Sequence, residues 1–181
     1  EIIYYLSGIV LAIGVLIGMF QLKITQKQIA LLNKDYKTKN KRAVIESSIK
    51  YLEVAKSLIV DMSDYRRRFV KEIPNRADTS SLFNKDFMLD DEEKILNKKE
   101  LVIELIVQEK LGLVHILNEL EVFSVAMLNG VADENIVFTP FGRVFCEFIE
   151  EEHLKLTFSR TTGTPYENLV KLYNIWKEGY K

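Results

Sequence analysis

Residues Ile2 to Leu22 read IIYYLSGIVLAIGVLIGMFQL, a run without Asp, Glu, Lys, Arg or His. At about 1.5 Å rise per residue such a helix reaches roughly 31 Å, the hydrocarbon thickness of a bilayer. Helices that close a water-soluble core ordinarily keep a charged face, and this run has none. A cleaved leader carries its basic residues before the apolar stretch and a small-x-small site after it. Here the basic residues follow. The expectation is therefore a transmembrane helix over 1–22, with Tyr4 and Tyr5 at an interface where phenol groups can reach headgroups.

The charge distribution orients that helix. Residues 1–42 hold Lys23, Lys27, Lys34, Lys37, Lys39, Lys41 and Arg42 against Glu1 and Asp35, a net +5, while the remainder is net −6. Basic residues within about 20 positions of a span resist translocation, so the expected topology is single-pass, N-terminus outside and C-terminal domain cytoplasmic. Residues 23–42 contain no Gly or Pro and carry Ile24, Ile29, Leu32 and Tyr36. They read as a basic juxtamembrane helix continuing the span. Lysines close to anionic headgroups are worth about 1 kcal/mol each.

The span also carries a packing seam. Gly14 and Gly18 form a GxxxG pair, and Ser7 lies two turns before Gly14, within roughly 40° of both on a helical projection. Gly8 and Ala12 make a second small pair beside them. Small residues let backbones approach in lipid, where packing rather than hydrophobicity drives association. The expected partners are the lipid bilayer and further copies of the chain. Ser7 and Gln21 are the polar side chains that could line a lumen between such copies.

Residues 43–181 read as an α-helical bundle. Ile45, Ile49, Leu52, Ile59, Met62, Phe69 and Ile73 recur at helical spacing and mark one buried stripe that Pro74 ends. Arg66, Arg67 and Arg68 fall near that helix end, where cations suit the dipole. The run Asp90-Asp91-Glu92-Glu93 lacks the alternating ligands and Gly of a calcium loop and reads as the acidic first turn of a helix. One long helix is expected from about Lys98 to Leu128. A further helix is expected behind the Thr139-Pro140 cap, with Glu147, Glu150, Glu151 and Glu152 on its wet side. Thr164-Pro165-Tyr166-Glu167 has the spacing of a capping box for a last helix that buries Leu169, Leu172, Tyr173 and Trp176.

The residues offer little chemistry. A single cysteine, Cys146, excludes an internal disulfide and a Cys-based zinc site within one chain. His115 sits in the apolar run Leu113–Leu117 and reads as a core residue; His153 follows three Glu and reads as exposed. No nucleotide loop, nucleophile elbow or metal-ligand pair is present. Helical RNases of the HEPN type place His four to six residues after Arg. No Arg here has that spacing, and Lys110 with His115 would replace a forked guanidinium by a point charge. No catalytic residue, metal, cofactor or direct nucleic-acid contact is expected.

The Gly14/Gly18 span, the helix unbroken through Lys41, and the segments Phe141-Gly142-Arg143 and Thr164-Pro165-Tyr166-Glu167-Asn168 together resemble the small transmembrane accessory proteins of type VI-B CRISPR systems. The resemblance covers the whole chain. It implies a divergent HEPN-like helical domain and a homo-oligomeric pore in the bacterial inner membrane. Such a protein assists an RNA-guided RNase in antiviral defence by letting the membrane depolarise. The competing classes are a membrane-tethered helical interaction module and a tethered HEPN-like RNase.

Overall fold

The computed structural model describes residues 2–79, 82, 84, 86–89, 93–161 and 163–179; of residues 2–13, 15, 16, 93 and 94 it describes the backbone alone. The helices are α1 (Ile2–Glu72), α2 (Glu93–Leu96), α3 (Lys99–Lys110), α4 (Leu113–Leu128), α5 (Glu134–Glu151), α6 (His153–Arg160) and α7 (Glu167–Glu178). Among the described residues there is no strand, and the fold is all-α. The chain divides into two units, Glu1–Ala43 and Val44–Lys181.

Among the described residues no single helix is long and apolar enough to cross a membrane. Helices α3 and α4 reach that composition together, as a pair bent by 69°. Leu101, Leu105, Leu113, Leu117 and Leu120 are nevertheless buried in the bundle, as core helices require. Ser7, Gly8, Ala12 and most of the apolar run before Ile17 lie outside the described side chains.

In the second unit α1 buries Ala55, Leu58, Met62, Tyr65 and Phe69, positions spaced by three or four. Ile45 and Ile49, expected on that stripe, are more than half exposed. The face that packs is rotated onto Ser48. Its hydroxyl donates to the Val44 carbonyl (2.7 Å) and accepts the Asp133 N–H (2.8 Å), tying α1 to the start of α5.

The remaining core is largely aromatic. Trp176 of α7 has Phe123, Phe138, Phe141 and Phe145 around it, with centroids 5.0–6.3 Å away and interplanar angles of 68–89°. Such edge-to-face pairs add about 0.5–1.5 kcal/mol each beyond their area. The indole N–H donates to Glu134 Oε1 (2.6 Å), so the buried ring leaves no orphan donor.

Several local expectations are corrected. The long helix from Lys98 to Leu128 breaks at Leu111–Gly112, where Gly112 takes φ +86°, a conformation open to glycine. The break lets α3 and α4 each bury a face that one straight helix could not. Pro140 does not open a helix. It lies inside α5, whose N-cap is Asp133, its side chain accepting the Asn135 N–H (3.0 Å). An interior proline costs about 3 kcal/mol, offset by that cap and by burial of Val137, Phe141 and Phe145.

The Thr164–Glu167 capping box is absent too. Tyr166, at φ +61°, is the N-cap of α7 and makes no side-chain cap bond. Glu121 of α4 does the capping instead, accepting the Leu169 N–H (2.7 Å) and the Asn168 N–H (3.3 Å). A tertiary carboxylate thus answers the helix's free donors. The histidines are exchanged relative to expectation: His115 is exposed and His153 is buried.

Gly142 gives a sharp stability test. A Cβ there would overlap the Phe138 ring, with Cγ only 3.1 Å away, while Phe138 is itself packed on Trp176. Gly142→Ala is expected to cost about 1–3 kcal/mol by overpacking. His115→Ala should stay within about 0.5 kcal/mol of wild type as a surface change. Thermal unfolding of the detergent-solubilised chain, followed by circular dichroism, measures both.

Candidate functional site: an unpartnered helix and a buried carboxylate cluster

From Phe20 to Arg42 every side chain of α1 is exposed. Ile29, Leu32 and Tyr36 keep 52%, 67% and 67% of their surface, and Ile17, Met19, Phe20, Leu22, Ile24 and Leu31 are comparably open. A lone helix with such side chains has no tertiary packing of its own to hold it. Gly14 and Gly18 face open space, with no atom within 4 Å of a built Cβ. Gln21 is exposed, and Ser7 lies outside the described side chains.

The collar has more order than its composition suggests. Lys23, Lys27, Lys34, Lys37 and Lys41 advance by four, seven, three and four positions, so they share one face of α1; Lys39 and Arg42 lie off it. Among the described residues no collar side chain takes part in an ion pair. The spacing was available in the sequence, where these residues bear on the orientation of the span and their shared face goes unread.

The second feature was not foreseen. Glu152, expected on the wet side of α5, is 1% exposed. It falls at the α5–α6 junction, where φ −100° and ψ 19° break the helix and redirect the side chain inward. Glu152 Oε2 accepts from Tyr65 Oη (3.0 Å), Arg76 Nη2 (2.9 Å) and Gln108 Nε2 (3.1 Å). Arg76 Nε donates to Glu104 Oε1 (3.2 Å), and Glu104 Oε2 accepts the Ala77 N–H (3.3 Å). The guanidinium lies 4.5 Å above the Phe69 ring. One arginine from the segment after α1 thereby joins two buried carboxylates from α3 and the α5–α6 turn.

Burial pushes the Glu152 carboxyl above its ordinary range, against the pull of Arg76 and Tyr65. Arg76 is held above its usual value by Glu152 and Glu104, against its own burial. Burial, with Glu152 adding to it, raises the Tyr65 phenol. Beside the cluster a cleft of about 500 Å³ is lined by Glu72, Pro74, Asn75, Arg76, Glu100 and Glu104, among others.

Except at Gln108 Oε1, which no described residue meets, the donors and acceptors here answer one another, which is the arrangement of a structural clasp. Among the described residues no group of His, Cys, Asp or Glu is placed to hold a metal ion. His153 is similarly absorbed, its ring nitrogens against the carbonyls of Glu150 (2.7 Å) and Thr79 (3.2 Å). The arginine run is occupied as well: Arg66 pairs with Glu151 (2.7 Å), Arg67 with Asp64 (2.9 Å), and Arg68 reaches the Leu111 carbonyl (3.3 Å). Comparison with family models, curated proteins and solved structures finds no match.

Removing Glu152 should test the clasp. Glu152→Ala leaves three donors facing a void, for an expected loss of about 3 kcal/mol. Glu152→Gln keeps an acceptor and should cost less. A raised carboxyl makes the folded state the better proton binder between the ordinary and the raised value. Its stabilising contribution is therefore full below pH about 4.3 and is lost as pH rises through the raised value. Wild-type stability should fall relative to Glu152→Gln across that interval, as measured by urea unfolding at several pH values.

Proposed function

We propose that the chain is a membrane-anchored, self-associating helical protein, in which the span over 1–22 and the exposed helix after it assemble copies around a pore-like centre. One observation supports this reading above the others. Between Ile17 and Tyr36 large apolar side chains stand on α1 with no partner in their own unit. An exposed apolar surface of that extent has lipid or protein as its natural complement.

The 23–42 collar gives the orientation: N-terminus outside, helical domain in the cytoplasm of a bacterial inner membrane. The Ser7–Gly14–Gly18 seam lets the backbones approach within the bilayer. In its narrower form the proposal follows the resemblance to type VI-B CRISPR accessory proteins. The assembled pore then assists an RNA-guided RNase in antiviral defence by depolarising the membrane. A lumen lined mainly by apolar groups, with Ser7 and Gln21 as its polar members, dewets and stays closed at rest. No catalytic step is assigned to the chain.

Gly14→Leu with Gly18→Leu should preserve insertion, since leucine favours it, and should reduce assembly by holding backbones apart. Native mass of the detergent-extracted protein reads assembly. A membrane-potential dye, in cells carrying the activated RNA-guided RNase, reads function. Loss of both in the double variant supports the proposal. A wild-type protein that is monomeric in mild detergent and in membranes removes the pore and leaves a tethered interaction module.

A further inference from the structure

The sequence turns from apolar to basic at Leu22–Lys23, and on one face of α1 the two characters meet. Phe20, Lys23, Ile24 and Lys27 stand at steps of three, one and three, so they share an arc of about 100°. Their side chains line a shallow cleft of about 290 Å³. Phe20 and Ile24 keep 70% and 46% of their surface. No Asp or Glu occurs between Ile17 and Lys34, so no carboxylate of this segment competes for the two ammonium groups.

Resting on the membrane anchoring proposed above, we infer that this cleft is a binding site for one anionic phospholipid of the cytoplasmic leaflet, with its phosphate between Lys23 and Lys27 and the start of its acyl chains on Phe20 and Ile24.

Depth decides which lysines take part. Lys23 and Lys27 lie about 1.5 and 7.5 Å beyond Leu22 along the helix axis, and the headgroup layer is about 5–8 Å deep on each side of the hydrocarbon. Helical Cα–Cβ bonds tilt towards the N-terminus, which here is back towards the bilayer. Both ammonium groups therefore return to phosphate level on their long stems. The backbone of Lys34, the next member of the lysine stripe, is about 18 Å beyond Leu22, more than a Debye length of about 8 Å past that layer.

Charge and polarity then select the lipid. Two ammonium groups on one face complement a phosphodiester whose headgroup adds no positive charge. A choline or ethanolamine head would bring a like charge against them. Phe20 and Ile24 offer the apolar surface that the first methylenes of the same lipid cover.

Phe20→Trp makes the site report on itself. The full chain carrying it is reconstituted in vesicles of phosphatidylcholine and phosphatidylglycerol, one of the two brominated. Quenching of the added indole is read after subtracting the signal of wild type, which has Trp176 alone. The expected result is a local preference for phosphatidylglycerol of at least about five-fold, the factor that matches one lysine near an anionic surface. Lys23→Gln with Lys27→Gln should abolish the preference, while the basic residues from Lys34 to Arg42 still hold the orientation. Lys34→Gln with Lys37→Gln should leave it unchanged, as should inorganic phosphate at an ionic strength matched by chloride. Equal quenching by the two lipids in an inserted protein overturns the site and leaves the anchoring intact. So does a preference that survives Lys23→Gln with Lys27→Gln, or one lost equally with Lys34→Gln and Lys37→Gln. Displacement by inorganic phosphate overturns the lipid in favour of a free anion. A wild-type chain that fails to float with the vesicles overturns both the site and the anchoring.

Discussion

Helix α1 changes what it packs against along its own length, and most of the chain's properties follow from that change. From Val44 onward one face is buried against the bundle, with Ser48, Ala55, Leu58, Met62, Tyr65 and Phe69 in the core. Before Ala43 the same helix continues without an interruption in its backbone, and from Met19 to Arg42 every side chain is exposed. Helices in water are held chiefly by packing of an apolar face. The segment of 42 residues from Ile2 to Ala43 is about 63 Å long, and in the function proposed above a bilayer around its first part and neighbouring copies around the rest supply the packing that its own chain does not.

The core of the second unit is knit by edge-to-face aromatic pairs around Trp176. The bundle also encloses an ionic clasp in which Arg76 links Glu152 and Glu104 while Tyr65 and Gln108 complete the acceptor's partners. Buried ion pairs add little net stability compared with apolar packing, because their desolvation cancels much of the attraction. They do penalise alternative packings that would leave a charge unmatched. Here the clasp fixes the irregular segment after α1 against the regular helix α3 and the α5–α6 turn.

What the sequence made legible follows from how local each determinant is. The helical class was readable because periods of three and four recur from Val44 to Trp176, and because Gly and Pro are scarce. The end of α1 before Pro74 was readable for the same reason. Misreadings occurred where a distant group overrode a local signal. Thr164-Pro165-Tyr166-Glu167 has every residue of a capping box, but Glu121 supplies the cap from α4 and Tyr166 takes a left-handed turn. Pro140 looked like a helix start and is tolerated inside α5. His115 lay in an apolar run but on its outer face, and His153 and Glu152 lay in an acidic run that turns inward at a helix break. No spacing rule could show Glu152 meeting Arg76, which is 76 positions away. The lysine stripe from Lys23 to Lys41 is local, and was legible in principle.

The account stands on the exposed part of α1 having partners outside its chain. Amide hydrogen exchange over residues 23–42, measured on the full chain in proteoliposomes at several protein-to-lipid ratios, tests this most directly. A partnered helix exchanges through rare opening, whereas an unsupported one frays and exchanges fast. The account expects protection of this segment comparable to that of α4 and α5, falling as the protein is diluted into lipid. Fast exchange over residues 23–42 at every ratio, with α4 and α5 still protected, would contradict it.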